Sequence, residues 1–227
     1  MLLHLETAGA VCSAALSNNG NLVAYRESAE PRAHAALLTV FIDELLTEAG
    51  IAATDVDAVS LSAGPGSYTG LRIASSVAKG FCYAAGKPLI ALNTLQLMAS
   101  GFMQENTVEG DFVICPMIDA RRDEVFSAVY NANLSIAVSP APELLTAESY
   151  AEILQKQTVY FIGDGAVKFS AMLVAKPNAN FNTGFYLKAK HQIWLATQKF
   201  DAQQFEDVAY FEPDYLKEFY TTAVVKK

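Results

Sequence analysis

The stretch VICPMIDARRDEVFSAVYNAN, residues 113–133, repeats the pattern of MLLHLETAGAVCSAALSNNG, residues 1–20. Each contains an apolar strand that ends at an acid, a turn, and a second strand that runs into an Asn-rich turn. With a one-residue insertion, the alignment pairs Glu6 with Asp119, Val11 with Val125, Ser13 with Ser127 and Ala14 with Ala128. The repeat predicts a chain of two similar lobes, although two unrelated amphipathic hairpins can align equally well.

The elements around this repeat predict the fold class. After three strands the chain predicts helices over residues 31–49 and 70–86, each followed by a strand, and a third helix over 94–104. This β-β-β-α-β-α-β-α order is typical of a mixed, five-stranded sheet flanked by helices. The second half is less regular and predicts a degenerate copy. We therefore predict an α/β, two-lobed fold of the actin-like (ribonuclease H-like) kind, with lobes at 1–106 and 107–227.

The composition favours a folded protein with a large core and excludes several function classes. Of 227 residues, 52% are hydrophobic and 18% are charged, and the net charge is −8. Because phosphate contacts need clustered lysines and arginines, a stand-alone nucleic-acid binder is not expected. We expect no signal peptide and no membrane span, and we expect Cys12, Cys82 and Cys115 to be reduced. These features together predict a cytoplasmic protein.

The glycine-rich turn SAGPGSYTG, residues 62–70, raises the question of a phosphate site. A P-loop ends in Gly-Lys-Ser/Thr, whereas Leu71 and Arg72 follow the last glycine here. The dinucleotide fingerprint also fails, because its third glycine would stand one residue earlier. An elbow that aims the next helix, capped by Ser67 or Thr69, is therefore favoured over an anion site. The predicted loop residues are Gly64, Pro65, Gly66, Ser67, Thr69 and Gly70.

Both predicted helices carry apolar arcs that are wider than one core-facing stripe. In the first helix, Leu38, Phe41, Ile42, Leu45 and Ala49 form an ordinary core stripe, which Ala33, Ala36, Leu37 and Val40 widen. The second helix carries only Arg72 and Lys79 as charges and is rich in small residues. A helix that is apolar almost all round is buried on two sides, so we predict the core on one side and a partner on the other.

Ordered motifs over most of the chain resemble the TsaB (YeaZ) family. These motifs are LETA at 5–8, PRAHAALL at 31–38, GPGSYTGLRI at 64–73, NTLQLMA at 93–99, IDARRDEVF at 118–126, GDGA at 163–166 and DYLK at 214–217. Each motif is weak alone, and their order and spacing make the resemblance specific. The resemblance fades over 134–158 and 170–205.

The resemblance implies an actin-like, non-catalytic subunit of the machinery that makes N6-threonylcarbamoyladenosine in tRNA. It implies docking of the first two helices on the transferase subunit TsaD, assembly with the ATPase TsaE, self-association through the same face, and tRNA contact only through partners. ATP and magnesium would be used by the assembled complex, with no cofactor on this chain alone. The predicted partner-binding residues are Ala33, Ala36, Leu37, Val40, Glu44, Arg72, Ser75, Ala78, Lys79 and Cys82.

The alternative is an enzyme, either a stand-alone actin-like ATPase or kinase, or a metallopeptidase. The sister subunit of the family holds metal with an H-x-x-x-H pair, whereas Leu38 stands four residues after His34, so no metal site is predicted. His4 and His191 are read as a core residue and a helix cap. A nucleotide site in the assembled complex would use Glu6, Thr7, Asp119, Arg121 and Glu124. For Asp119, Arg121 and Glu124, a structural ion-pair cluster beside the second hairpin is favoured over such a site, since most clusters of this kind are structural.

Overall fold

The computed structural model describes residues 1–173 and 176–216. Lys217 of the DYLK motif lies outside these residues. The first half contains β1 (Leu2–Glu6), β2 (Cys12–Asn18), β3 (Asn21–Ser28), α1 (His34–Ala49), β4 (Ala58–Gly64), α2 (Tyr68–Ala85), β5 (Leu89–Asn93) and α3 (Thr94–Glu105). The second half contains β6 (Phe112–Asp119), β7 (Glu124–Asn131), β8 (Ile136–Leu144), α4 (Ala151–Leu154), β9 (Thr158–Ile162), α5 (Ala166–Met172), β10 (Ala179–Asn182) and α6 (Ile193–Asp201).

Two five-stranded sheets share one topology. Their strand orders are β3-β2-β1-β4-β5 and β8-β7-β6-β9-β10, each with two antiparallel pairs beside two parallel pairs. The predicted two-lobed, actin-like α/β fold is therefore confirmed. The shared strand order is stronger support for this conclusion than the sequence repeat. Two unrelated hairpins could align in sequence, but they would not bring three further strands into the same arrangement.

The predicted alignment of the two hairpins was shifted in its second strand. Glu6 stands opposite Ser13, and Asp119 stands opposite Val125. Superposing these pairs places Ser127 on Ala15, because the second connection (120–124) is one residue shorter than the first (7–12), not longer. A two-residue shift keeps every side chain on the same face of the sheet, so the hydrophobic pattern could not reveal the error.

The two helices predicted to dock on a partner begin at other residues than predicted. Helix α1 begins at His34, because residues 31–33 form a turn in which Arg32 has a φ of 64°. Helix α2 begins at Tyr68 rather than Gly70, since Ser67 already caps it. Both helices end at a glycine in the left-handed conformation, α1 at Gly50 and α2 at Gly86.

Three hydrophobic cores lie on the faces of the two sheets. One, which we call the outer core, packs α1 and α2 against the outer face of the first sheet. Another packs α4 and α5 against the second sheet. The middle core joins the sheets through α3, with Ile90 and Leu92 from one side and Ile114 and Tyr130 from the other. The inner faces of both sheets are therefore buried in one core.

The C-terminal part of the described chain returns to the first sheet. A short 3₁₀ turn (Ala189–Gln192) and α6 contact β1 and β5 on the inner side. Glu206 then bridges to Leu89 at the free edge of β5. Residues 207–216, which we call the strap, continue onto α2, where Phe211 enters the outer core. In the described ranges, no helix has the length and apolar character needed to cross a bilayer.

Candidate functional site

The exposed side of α1 carries the predicted apolar arc. Leu38, Phe41, Ile42 and Leu45 are buried, as predicted for the core stripe. Of the five residues assigned to a partner, Ala36 and Glu44 are exposed, Val40 is 46% exposed, and Ala33 and Leu37 are half-buried. Glu44 pairs with Arg26 of β3, with 2.7 Å between Oε2 and Nε. This side of α1 is therefore a mixed surface with apolar residues at its centre.

Three of the residues predicted to bind a partner on α2 are buried within the chain. Ser75, Ala78 and Cys82 are at most 7% exposed, and the last two belong to the outer core. A partner cannot contact them in this conformation. The sequence pattern did not separate core from surface here, because small residues cover almost the whole circumference of the helix.

The strap covers one flank of α2. Lys79 donates from Nζ to the carbonyl oxygens of Ala209 and Phe211, at 3.1 and 2.9 Å. The Phe211 side chain is 9% exposed and packs with the outer core, together with Val208. Part of the α2 surface that was predicted to face a partner thus packs against the strap of this chain. Lys79 binds the strap and is not available to a partner in this conformation.

A groove remains open between α1 and α2. Its volume is about 500 Å³. The lining residues are Ala35, Tyr68, Thr69, Arg72, Ile73, Ser76 and Val77. Arg72 is the one charged residue in this lining, so the groove is an apolar surface with a single cation.

The glycine-rich turn is an elbow. Ser67 caps α2, since its Oγ accepts a hydrogen bond from the N–H of Gly70 at 3.2 Å, whereas Thr69 lies inside the helix. A Cβ on Gly70 would overlap the carbonyl oxygen of Thr7, and one on Gly66 would lie 2.8 Å from that of Ala8. The glycines therefore allow α2 to approach the first hairpin closely. They pack against the backbone of that hairpin, whereas the glycines of a phosphate-binding loop would leave space for the phosphate.

Gly64 serves a different contact of the same turn. Its φ is 121°, and a Cβ there would overlap the carbonyl oxygen of Asp214 in the strap. The N–H of Asp214 donates to the carbonyl of Ala63 at 2.7 Å. Pro65, between the two glycines, is buried. The predicted elbow thus also receives the strap, which the sequence did not indicate.

Glu6 is fully buried, and the polar groups around it belong to the chain itself. Its carboxylate accepts hydrogen bonds from the N–H of Ala8 at 2.7 Å, from Ser62 Oγ, and from Gln192 Nε2 at 3.1 Å. Burial raises the pKa of Glu6, and these hydrogen bonds oppose that rise. Thr7 donates to the carbonyl of Gly70 at 2.7 Å. Glu6 and Thr7 therefore both point into packed structure.

Gln192 extends this network across the first sheet. Its Oε1 accepts from Ser60 at 2.7 Å, and Ser60 lies 2.7 Å from His4 Nδ1. Ser17 contacts the other ring nitrogen of His4, also at 2.7 Å. His4 is thus a satisfied core histidine, as predicted. Nothing in the sequence near Gln192 marks it as a partner of Glu6, because 186 residues separate them.

The acid of the second hairpin pairs with a lysine that the sequence analysis missed. Asp119 Oδ1 lies 2.6 Å from Lys168 Nζ of α5 and accepts from the backbone N–H of Arg121 at 2.6 Å. Lys168 also donates to the carbonyls of Arg122 and Glu124. Within the predicted structural cluster, Arg121 therefore contacts Asp119 through its backbone N–H, and the side-chain ion pair of Asp119 is with Lys168. The hydrogen bonds of Glu6 and Asp119 share no residue, so the two acids lie in separate networks.

The remaining histidines have structural contacts. His34 Nε2 lies 3.1 Å from the carbonyl oxygen of Gly9. His191 was predicted to cap the late helix, but α6 begins two residues later with Gln192 before it and no side-chain cap. Instead, His191 Nδ1 accepts from the N–H of Lys188 at 3.2 Å at the start of the 3₁₀ turn, and its Nε2 lies 2.9 Å from Glu105. In the part of the chain that the structure describes, no three His, Cys, Asp or Glu side chains are grouped to hold a metal ion.

The chain has two five-stranded sheets of one topology, and the first strand of each ends at an acid, Glu6 or Asp119. This arrangement defines an actin-like protein. The space around the first acid, Glu6, is occupied by groups of the chain itself. Residues 27–219 match the family model described as "TsaD: tRNA N6-adenosine threonylcarbamoyltransferase". The chain belongs to this family, and within it to the TsaB (YeaZ) group.

Individual relatives agree with this assignment. The chain is 37% identical to tRNA threonylcarbamoyladenosine biosynthesis protein TsaB of Escherichia coli over 57% of this chain and 54% of that protein. YeaZ from Pseudomonas aeruginosa aligns with a TM-score of 0.80 and 28% identity, covering 95% of this chain and 99% of that one. A Ruegeria pomeroyi tRNA N6-adenosine threonylcarbamoyltransferase is 47% identical over 28% of this chain and 18% of its own length. The match thus spans about half the length of the curated TsaB relative.

Proposed function

We propose that the chain is a non-catalytic subunit of the machinery that makes N6-threonylcarbamoyladenosine in tRNA. In this proposal it docks on a TsaD-type transferase through α1 and α2 and holds it in an active arrangement. The observation that carries the proposal is the exposed, partly apolar side of α1 next to the open α1–α2 groove, in a chain whose curated relatives are named for this pathway.

The state of the first acidic site supports a non-catalytic role. An actin-like ATPase organises magnesium and phosphate around the acid of its first hairpin. Here the acid is buried and hydrogen-bonded to Ser62 and Gln192, and the glycine elbow packs on backbone. A nucleotide would have to displace Gln192 to reach Glu6. We therefore propose that ATP and magnesium act on the partners.

The proposal also includes further partners of this chain. A TsaE-type ATPase would join the pair, tRNA would contact the partners because this chain carries a net charge of −8, and two copies of the chain would pair through α1 and α2 when no transferase is present. Homodimer and heterodimer would then compete for one face. A role for Asp119, Arg121 and Glu124 in a nucleotide site at the subunit boundary is a further part of this proposal.

The test is retention of TsaD from the same organism on the immobilised full-length chain. Val40→Glu places a charge at the centre of the α1 face, and we expect it to weaken retention by at least about tenfold. Ile136→Glu is the matched control, since Ile136 is an exposed aliphatic residue on edge strand β8 of the other lobe. A wild-type chain that retains no TsaD, with both proteins folded, contradicts the proposal.

Calorimetry separates this proposal from the stand-alone ATPase or kinase. We expect no saturable heat when ATP and magnesium are titrated at micromolar concentrations into the isolated chain. Micromolar binding with turnover would instead favour the enzyme. A Glu6→Ala variant that abolished such turnover would then assign it to the first hairpin.

A further inference from the structure

Arg72 is held in one orientation although it is exposed. Its Cζ lies 4.2 Å from the centre of the Tyr68 ring, in a cation–π contact within α2. Its Nε lies 3.3 Å from the hydroxyl of Tyr215, which belongs to the strap. The rings of Tyr68 and Tyr215 contact each other at 5.0 Å between centroids. The guanidinium is therefore fixed by one ring from its own helix and one from a segment 143 residues away.

The outer edge of this guanidinium is open. Over the described residues, neither Nη group of Arg72 donates a hydrogen bond within the chain. The hydrogen bond to Tyr215 and the negative charge of Glu212 help to raise the pKa of Arg72, but the side chains of Arg72 and Glu212 form no ion pair. A planar guanidinium binds a carboxylate through two parallel hydrogen bonds. Because Arg72 is already ordered, binding such a carboxylate costs little further side-chain entropy.

The surroundings of Arg72 indicate that its ligand has apolar groups beside the carboxylate. Arg72 lines the α1–α2 groove, and the other lining residues are uncharged. An apolar groove with one cation matches an amphipathic helix whose apolar side chains enter the groove and whose single carboxylate meets the cation. A small carboxylate alone would leave the groove unfilled.

We propose that Arg72, positioned by Tyr68 and Tyr215, anchors an Asp or Glu side chain on a helix of the docked partner subunit, with apolar neighbours of that carboxylate filling the groove. This inference rests on the proposed function and adds the strap to the docking surface. Arg72 makes the contact, and Tyr215 is a positioning residue. The strap thereby becomes part of the site, although its residues lie far from α1 and α2 in sequence.

The experiment measures the affinity of full-length variants for TsaD from the same organism by surface plasmon resonance. We expect Arg72→Glu to weaken binding at least about tenfold, as at an interface hot spot. Lys156→Glu, the same charge change at an exposed site of the second lobe, should change it less than about twofold. We expect Arg72→Lys to lose about fivefold, since it keeps the charge without the planar fork.

Tyr215→Phe tests the positioning role. It keeps the ring and removes the hydroxyl, and we expect about threefold weaker binding, an effect that disappears in the Arg72→Lys background. Tyr210→Ala, an exposed tyrosine of the same strap outside the groove, should bind like the wild type. Equal affinities for Arg72→Glu and Lys156→Glu overturn the anchor while the proposed function stands. A wild-type chain that does not bind overturns the proposed function, and this inference with it.

Discussion

At the scale of single residues, the glycine elbow requires residues without a side chain at two positions. Gly70 and Gly66 let α2 rest on the backbone of Thr7 and Ala8, so any side chain there must push two parts of the main chain apart. Gly80, in the same helix as Gly70, is exposed, and a methyl group added to it would meet nothing within 4 Å. Gly70 and Gly80 therefore have opposite roles in one helix.

We expect Gly70→Ala to lower the free energy of unfolding by about 1–3 kcal/mol, because the added methyl group meets backbone that cannot move cheaply. Gly80→Ala should raise it by about 0.5–1 kcal/mol, since alanine is the better helix former and the site is open. Urea denaturation of both variants beside the wild type measures the difference. A neutral Gly70→Ala would contradict the close packing.

His4 predicts part of the response to acid. Burial lowers the pKa of His4 from 6.5 to about 3, so the folded state binds fewer protons than the unfolded state between these values. The contribution of His4 to stability is complete above pH 6.5 and is lost as the pH falls toward 3, at up to about 1.4 kcal/mol per pH unit. NMR should show a His4 ring that does not titrate between pH 7 and 4. A ring that titrates near 6.5 would contradict this.

At the scale of elements, the strap determines how α2 is buried. We expect Phe211→Ala to cost about 3–5 kcal/mol, because it empties a site in the outer core. Tyr210→Ala is its neighbour on the strap, 84% exposed, and should cost less than about 0.5 kcal/mol. Thermal or urea unfolding measures both. Similar losses for the two variants would mean that the strap does not reach the core.

The elements were predictable from the sequence where local signals decide them. The hairpin turn at Asn19 and Gly20, the glycine ends of α1 and α2 and the Ser67 cap are set by residues within a few positions of each other. The contacts of Gln192, Lys168 and the strap were missed because their partners lie far away along the chain. Periodicity also cannot identify what covers a helix, and so Ala78 was assigned to a partner although it is core.

At the scale of the whole molecule, we expect one cooperative unfolding transition. The middle core takes residues from both sheets, and the segment from Ala189 to the strap ties the second half to the first. Differential scanning calorimetry should give a van't Hoff enthalpy close to the calorimetric one. Two resolved transitions would instead favour independent lobes with the predicted boundaries 1–106 and 107–227, which stay a prediction.

The return of the strap has a consequence for biosynthesis. Phe211 completes the outer core of the first sheet, yet it lies 105 residues further along the chain than residue 106, the predicted end of the first lobe. At roughly 5–20 residues per second, a ribosome needs about 5–20 s to add them. During that interval the outer core beside α2 lacks Phe211. Nascent chains stalled before residue 207 should therefore be captured by the ribosome-bound chaperones that recognise exposed apolar surface, and chains released after residue 216 should not.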